Sequence, residues 1–336
     1  MKQNQKKKKR LLLALSLMLL TGVVLSTSTY AWFTANKVVT VNDINVNVAA
    51  SNGIQVSVDG LNWKTMVSNE DIIGAINTYS GATNQLPTGT ATLSPVSTVG
   101  EIDTTTGFMK MFSGNIESNA AGNYIIAADK VVEQNGETGS FIAFDLFMQV
   151  TTDTNVYLTD ASKVALTGTI EGIDNSSRVA IINEGNTATG SDAETIQGLA
   201  NATDDDVFLW ELNNDVHTKA AIANAANNYG ITTQETNATK LDYYGVKAAI
   251  AKEKEVLLNS TSTEYFAKVT PSLSTTKAGI SADKYEQALT LKAGITKVRI
   301  YMWIEGQDVD CENNASGGSL KFSLQFSTNS SVNAVE

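Results

Sequence analysis

The sequence predicts a mainly β protein, a β-sandwich of jelly-roll or Greek-key type with a helical insertion around residues 191–260. Three observations carry this. Residues 141–150 (FIAFDLFMQV), 297–305 (KVRIYMWIE) and 320–326 (LKFSLQF) alternate apolar and polar side chains with the period of two that a strand imposes. Turn-forming Gly, Asn, Asp and Ser punctuate the rest of the chain. An Ala-rich stretch with spacing near 3.6 residues interrupts it from about Ser191.

In chain order, the period-two pattern begins at Lys37 and changes phase. Val39 and Val41 are apolar at odd positions, whereas Ile44, Val46 and Val48 are apolar at even ones. A slip of one residue reverses the face each side chain points to, so Asn42-Asp43 marks a bulge or a boundary between two strands. Ile54, Val56 and Val58 resume the alternation after Asn52-Gly53, a strong hairpin signal, which predicts a β-hairpin over 43–65. Residues 66–140 read as short strands and long surface loops, with two strand fragments in 122–133. In 141–150, Ile142, Phe144, Leu146, Met148 and Val150 share one face. Residues 156–158, 164–166 and 178–182 read as further strands. Segments 192–201, 218–228 and 241–258 read as helices, with Asp192 as an N-cap and Gly230 as a stop. Strands 297–305 and 320–326, joined by a polar loop, read as an antiparallel half-buried pair.

The first 34 residues set the compartment. Lys6 to Arg10 form a cationic block, Leu11 to Leu25 an apolar run, and small or hydroxylated residues follow to Ala31. This is the order of a secretory signal, cut between Ala31 and Trp32. The alternative is an uncleaved anchor, although the run is shorter than the roughly 20 residues a spanning helix prefers. Residues 1–31 are therefore expected to be the signal peptide, and 32–336 a single secreted domain with an insertion over 191–290. The membrane would be a partner only through an uncleaved leader.

The chain holds 24 Lys plus Arg against 35 Asp plus Glu, and six of those cations lie in the first ten residues. The remainder is strongly acidic, which argues against nucleic-acid binding. Cys311 is the only cysteine, so an intramolecular disulfide is excluded; it reads as a small buried residue or as an interchain pair. His217 is the only histidine, which leaves no material for most zinc hydrolase schemes, and no nucleophile-elbow or phosphate-loop motif occurs. The chain is expected not to be an enzyme and to need no cofactor. Two acidic groups suit a hard cation such as Ca2+: Asp204-Asp205-Asp206, and Glu305, Asp308, Asp310 and Glu312. Neither has EF-hand spacing, and both also read as solvated loop acids. Of the two, Glu305, Asp308 and Asp310 are the better candidate because strands tether the loop at both ends.

The leader ending in TYAWFT, followed at once by an Asn/Val-rich β segment, resembles the exported proteins cut by the ER-type signal peptidase of Gram-positive bacteria. That group includes the TasA/camelysin family of biofilm-fibre proteins. The run WIEGQDVDC from Trp303 to Cys311, with the Phe-bearing strand at Phe322 and Phe326, is similar to a signature of the same class. The likeness covers about 30 residues at each end and almost nothing between about 60 and 290. It implies a jelly-roll subunit, secreted to the matrix or cell surface of a bacterium. The freed segment 32–42, with Val38, Val39 and Val41, would insert into a neighbouring copy or a related fibre subunit as a donor strand. Departures are the greater length, the insertion, and TYAWFT in place of an Ala-Phe start. Camelysin's link to proteolysis finds no zinc motif here. The other functional readings are a monomeric adhesin using Thr/Asn-rich loops of 77–107 and, last, a secreted protease.

Overall fold

A computed structural model describes residues 39–41, 44–50, 53–82, 91–133, 139–167, 174–211, 243–260, 262–269, 272–273, 285–308, 310–311 and 319–330, together with Ala221, Ala223 and Asn227. The chain is mainly β, 49% strand against 10% helix, and builds a β-sandwich from several sheets.

The central sheet has the order β16 (Ser272–Leu273), β13 (Val207–Glu211), β12 (Ser177–Thr187), β18 (Gly294–Ile304), β9 (Phe141–Val150) and β3 (Gln55–Ser57). Facing it is a second sheet ordered β17 (Glu286–Leu291), β10 (Thr154–Leu158), β19 (Ser319–Ser327), β2 (Ile44–Ala50) and β4 (Met66–Val67), with β11 (Lys163–Thr167) also paired to β19. Their facing sides hold the main core, in which Ile142, Phe144, Leu146 and Met148 meet Val298, Ile300 and Met302 and, from across the sandwich, Phe322, Leu324 and Phe326. The face expected for Ile142 to Val150 is the one observed.

The second sheet keeps the expected half-buried character: Leu320, Phe322, Leu324 and Phe326 are buried while Lys321 is exposed. The central sheet does not. Every residue of β18 is buried, because a further layer covers its other face. That layer is the antiparallel sheet β6 (Val96–Ser97), β7 (Met111–Ser118) and β8 (Tyr124–Val131). Tyr301, Trp303, Phe141 and Ala180 pack there against Val96, Met109 and Met111. Beyond it, β14 (Tyr243–Val246) pairs with β15 (Phe266–Val269), and Ile250 bridges to Ala128 on the edge of β8.

Several expectations are corrected. The two arms of the hairpin expected over 43–65 lie in different sheets: β2 pairs β19 and β4, whereas β3 pairs β9. The turn at Gly53 (φ 85°) carries the chain across the sandwich, so that Val48 and Val56 enter the same core from opposite sheets. In the same way β18 and β19, expected to pair, belong to opposite sheets. Apolar alternation reports which side chains are buried and is silent on which strand supplies the hydrogen bonds. The phase change at 42–43 is a strand boundary rather than a bulge, since β1 (Val39–Val41) pairs with β5 (Ala91–Leu93) and β2 does not.

The described part of 191–260 is helical in pieces, among them Ala221, Ala223 and Asn227 of the expected 218–228 helix. It has a five-residue helix, Ala193–Gln197, capped by Asp192 as expected, and 3-10 turns at Asp204–Asp206 and Lys252–Lys254. The helix expected over 241–258 is replaced by β14 and edge pairings to β8, where Ile126 N–H reaches Val256 O and Leu258 N–H reaches Tyr124 O. Tertiary hydrogen bonds override the helical bias of the Ala, Lys and Glu residues. Gly245 is needed there, because a Cβ would stand 2.4 Å from Thr98 O. Nor is 191–290 a separate insertion: β13 is a strand of the central sheet and β17 of the second. Most of 218–228 lies outside the described residues.

Gly294, which opens β18, has φ +123° and a Cβ there would meet Thr187 O at 2.2 Å. We expect Gly294→Ala to lower unfolding stability by about 1–3 kcal/mol through backbone strain, read from urea midpoints.

Candidate functional site

Two parts of the chain bear on function, the loop after β18 and the N-terminal strand. In the loop, Glu305, Asp308 and Asp310 are brought together as the sequence suggested, but buried, each no more than 3% exposed. Asp308 pairs with a buried guanidinium, and Glu305 lies within its electrostatic reach. Arg178 on β12 places Nη2 2.5 Å from Asp308 Oδ2 and 3.4 Å from Glu211 Oε2. Its Nη1 donates to the carbonyls of Asn175 (2.9 Å) and Ser177 (3.1 Å), and its Cζ lies 5.6 Å from the Tyr243 ring centre.

Glu305 is held by donors of its own loop. Trp303 Nε1 donates to Oε2 at 3.1 Å and the Gln307 N–H to Oε1 at 3.0 Å. Burial raises its carboxyl to about 7, against the lowering effect of the Ser97 and Trp303 hydrogen bonds and of Arg178. Asp308 Oδ1 accepts the Asp310 N–H at 2.8 Å, and Asp310 Oδ2 accepts from Asn175 Nδ2 at 3.4 Å. The backbone is tied down as well, by Glu305 N–H to Ser176 O and Gly306 N–H to Val96 O. Cys311 is buried at the end of the loop, and burial pushes its thiol well up. The described residues of this run thus form a buried plug in which Asp308 pairs with an internal cation. Glu312 lies outside the described residues.

The second acidic group caps its own turn. Asp206 Oδ2 accepts from the Thr203 N–H and Oγ1, and Asp204 Oδ1 accepts the Ile102 N–H at 2.6 Å. Among the described residues no three His, Cys, Asp or Glu side chains are grouped to hold a metal.

The sequence reading missed Arg178 and Glu211, although they face each other in the β12–β13 register. It also missed a second buried cluster on the same face, around Asp145, Lys297 and Arg299. The available signal was an acid at one outer-face position of an apolar strand and bases at matching positions of another.

Of the expected assembly strand, Val39 and Val41 lie in β1, which pairs antiparallel with β5 over three residues: Val39 opposite Leu93, Thr40 opposite Thr92 and Val41 opposite Ala91. This ribbon belongs to neither main sheet. The next strand, β2, pairs in parallel with β19 along all seven of its residues, but β4 covers only Val48 and Ala49 on its other side. No strand among the described residues pairs with that side of Ile44 to Asn47. Ala31, Trp32 and Val38 lie outside the described residues. Among those described, no helix is long and apolar enough to cross a membrane.

No protein-family model, curated protein or solved structure matches the chain. The functional reading accordingly rests on its own residues.

Proposed function

We propose that this chain is an exported structural subunit of an extracellular surface or biofilm-matrix fibre, non-catalytic, assembling when residues 32–42 of one copy add as a strand to the next. The observation that carries this reading is the position of β1. It stands outside both main sheets and is held by a three-residue pairing with β5, whereas β2 is anchored along its whole length on β19. Three residues of pairing are few, so releasing β1 from β5 breaks few backbone hydrogen bonds. A strand that leaves its own subunit and enters a copy makes a head-to-tail contact, which generates filaments when the rotation does not close. Copies of this chain or related subunits are the partners, and a signal peptidase acts during export.

Mass spectrometry of the mature protein should find Trp32 at its start. Electron microscopy and size-exclusion should then show polymers that grow with concentration, and deletion of 32–41 should leave monomers. Filaments unchanged by that deletion would sink the donor-strand reading.

A further inference from the structure

The outer face of the central sheet carries a second buried group of charges that the plug around Arg178 does not involve. Asp145 on β9 and Lys297 on β18 have side chains only 1% and 9% exposed, with Lys297 Nζ 3.3 Å from Asp145 Oδ2. The carboxyl is held from three sides. Arg299 Nη1 donates to Oδ1 at 2.6 Å, and Tyr79 OH donates to Oδ2 at 2.6 Å. The amine is steered by its own hydrogen bond to Gln197 O at 3.0 Å. Glu184 is the bulge residue of β12, between Asn183 opposite Val298 and Gly185 opposite Lys297. It is 5% exposed.

We propose that Lys297 and Asp145 join in an intramolecular isopeptide bond, a covalent tie between strands β18 and β9, with Glu184 relaying the proton. Lys297 Nζ already lies 3.3 Å from a carboxyl oxygen of Asp145, which replaces a bimolecular encounter by a local step. Water that would compete is largely excluded, the two side chains being no more than 9% exposed. The charges agree with the chemistry. Two cations, Lys297 and Arg299, share the cluster with the carboxyls of Asp145, Glu133 and Glu184, and Arg299 also pairs with Glu133. Burial raises the Glu184 carboxyl to about 7, which suits a proton carrier, and burial also pushes the Asp145 carboxyl above its ordinary range.

The step balances without a co-reactant. One ammonium proton moves to the carboxylate, and the freed Lys297 amine attacks Cγ of Asp145. The C–N bond forms while Arg299 steadies the charge on Oδ1. Glu184 carries a second proton from nitrogen to Oδ2, the Cγ–Oδ2 bond breaks, and that oxygen leaves as water. One buried cation and one buried anion disappear together, which removes their desolvation cost and leaves Arg299 matched to Glu133.

The test is the intact mass of the purified protein, with peptide mapping after proteolysis. The wild-type protein is expected to be lighter by one water than its mature sequence, with a cross-linked peptide containing Asp145 and Lys297. Lys297→Met and Glu184→Gln are each expected at full mass. Full mass for the wild type, with no such peptide, would reduce the pair to an ion pair only and overturn the proposal, whether or not the variants fold. A bond that persists in Glu184→Gln would remove Glu184 from the mechanism.

Discussion

Arg178→Met is expected to destabilise the protein by about 3–5 kcal/mol, the usual cost of removing one partner from a buried ion pair. The guanidinium pairs with both Asp308 and Glu211, and all three side chains are 3% exposed or less. Methionine fills much of the volume but removes the cation from beside two buried carboxylates. The loss should therefore be electrostatic rather than a matter of packing. If so, Arg178→Met combined with Asp308→Leu should recover part of the loss, because two well-packed apolar side chains cost less than one orphaned charge. Equilibrium urea unfolding measures both variants. A single variant within about 0.5 kcal/mol of wild type, the range of an ordinary surface change, would show that the plug does not depend on its cation.

Unfolding stability is expected to fall as pH rises from about 4.5 to 7. Glu305 and Glu184 are both raised to about 7 from an ordinary 4.5, chiefly by burial. The folded state then binds their protons more tightly than the unfolded chain does. Across that window the unfolded state holds fewer protons, so stability drops with pH. At about 1.4 kcal/mol per pH unit, each carboxyl contributes roughly 3 kcal/mol between pH 4.5 and 7. Carboxyls held low by partners, such as Asp71 beside Lys64 and Asp59 within its own turn, act in the opposite sense but below about pH 4. Urea midpoints at pH 5 and pH 7 read the slope. Glu305→Gln and Glu184→Gln should each flatten it, and a wild-type stability that rises over this interval would contradict the assignment.

Both predictions concern residues whose significance the sequence showed only in part. Asp308 and Glu305 stood out as acids crowded into one loop, and their convergence is real. Their partner is 127 positions from Glu305 in the chain, on β12, in a strand that reads simply as RVAII. Nothing local marks Arg178 as buried, because the outer face of a sheet strand carries polar side chains whether it meets water or another layer. The same ambiguity hid Lys297, Arg299 and Asp145. Their alternation with Val298, Ile300 and Leu146 predicted two faces correctly and assigned one of them to solvent, whereas the helix Ala193–Gln197 and Tyr79 cover it around Lys297 and Asp145, and the β6–β8 layer covers it around Tyr301 and Trp303.

The sequence by itself determined the strands with strong alternation, the face each turns to the main core, the Asp192 cap, and the change of phase between Val41 and Ile44. These follow from periods of two residues and from local hydrogen bonds, which neighbours along the chain specify. Only the tertiary structure decided which strands pair. It sent β2 and β3, and again β18 and β19, to opposite sheets, turned 243–258 from helix to strand and edge, and closed three acids around Arg178. Pairing and charge burial depend on residues far apart in sequence, and their free energies appear only once water has been excluded from between them.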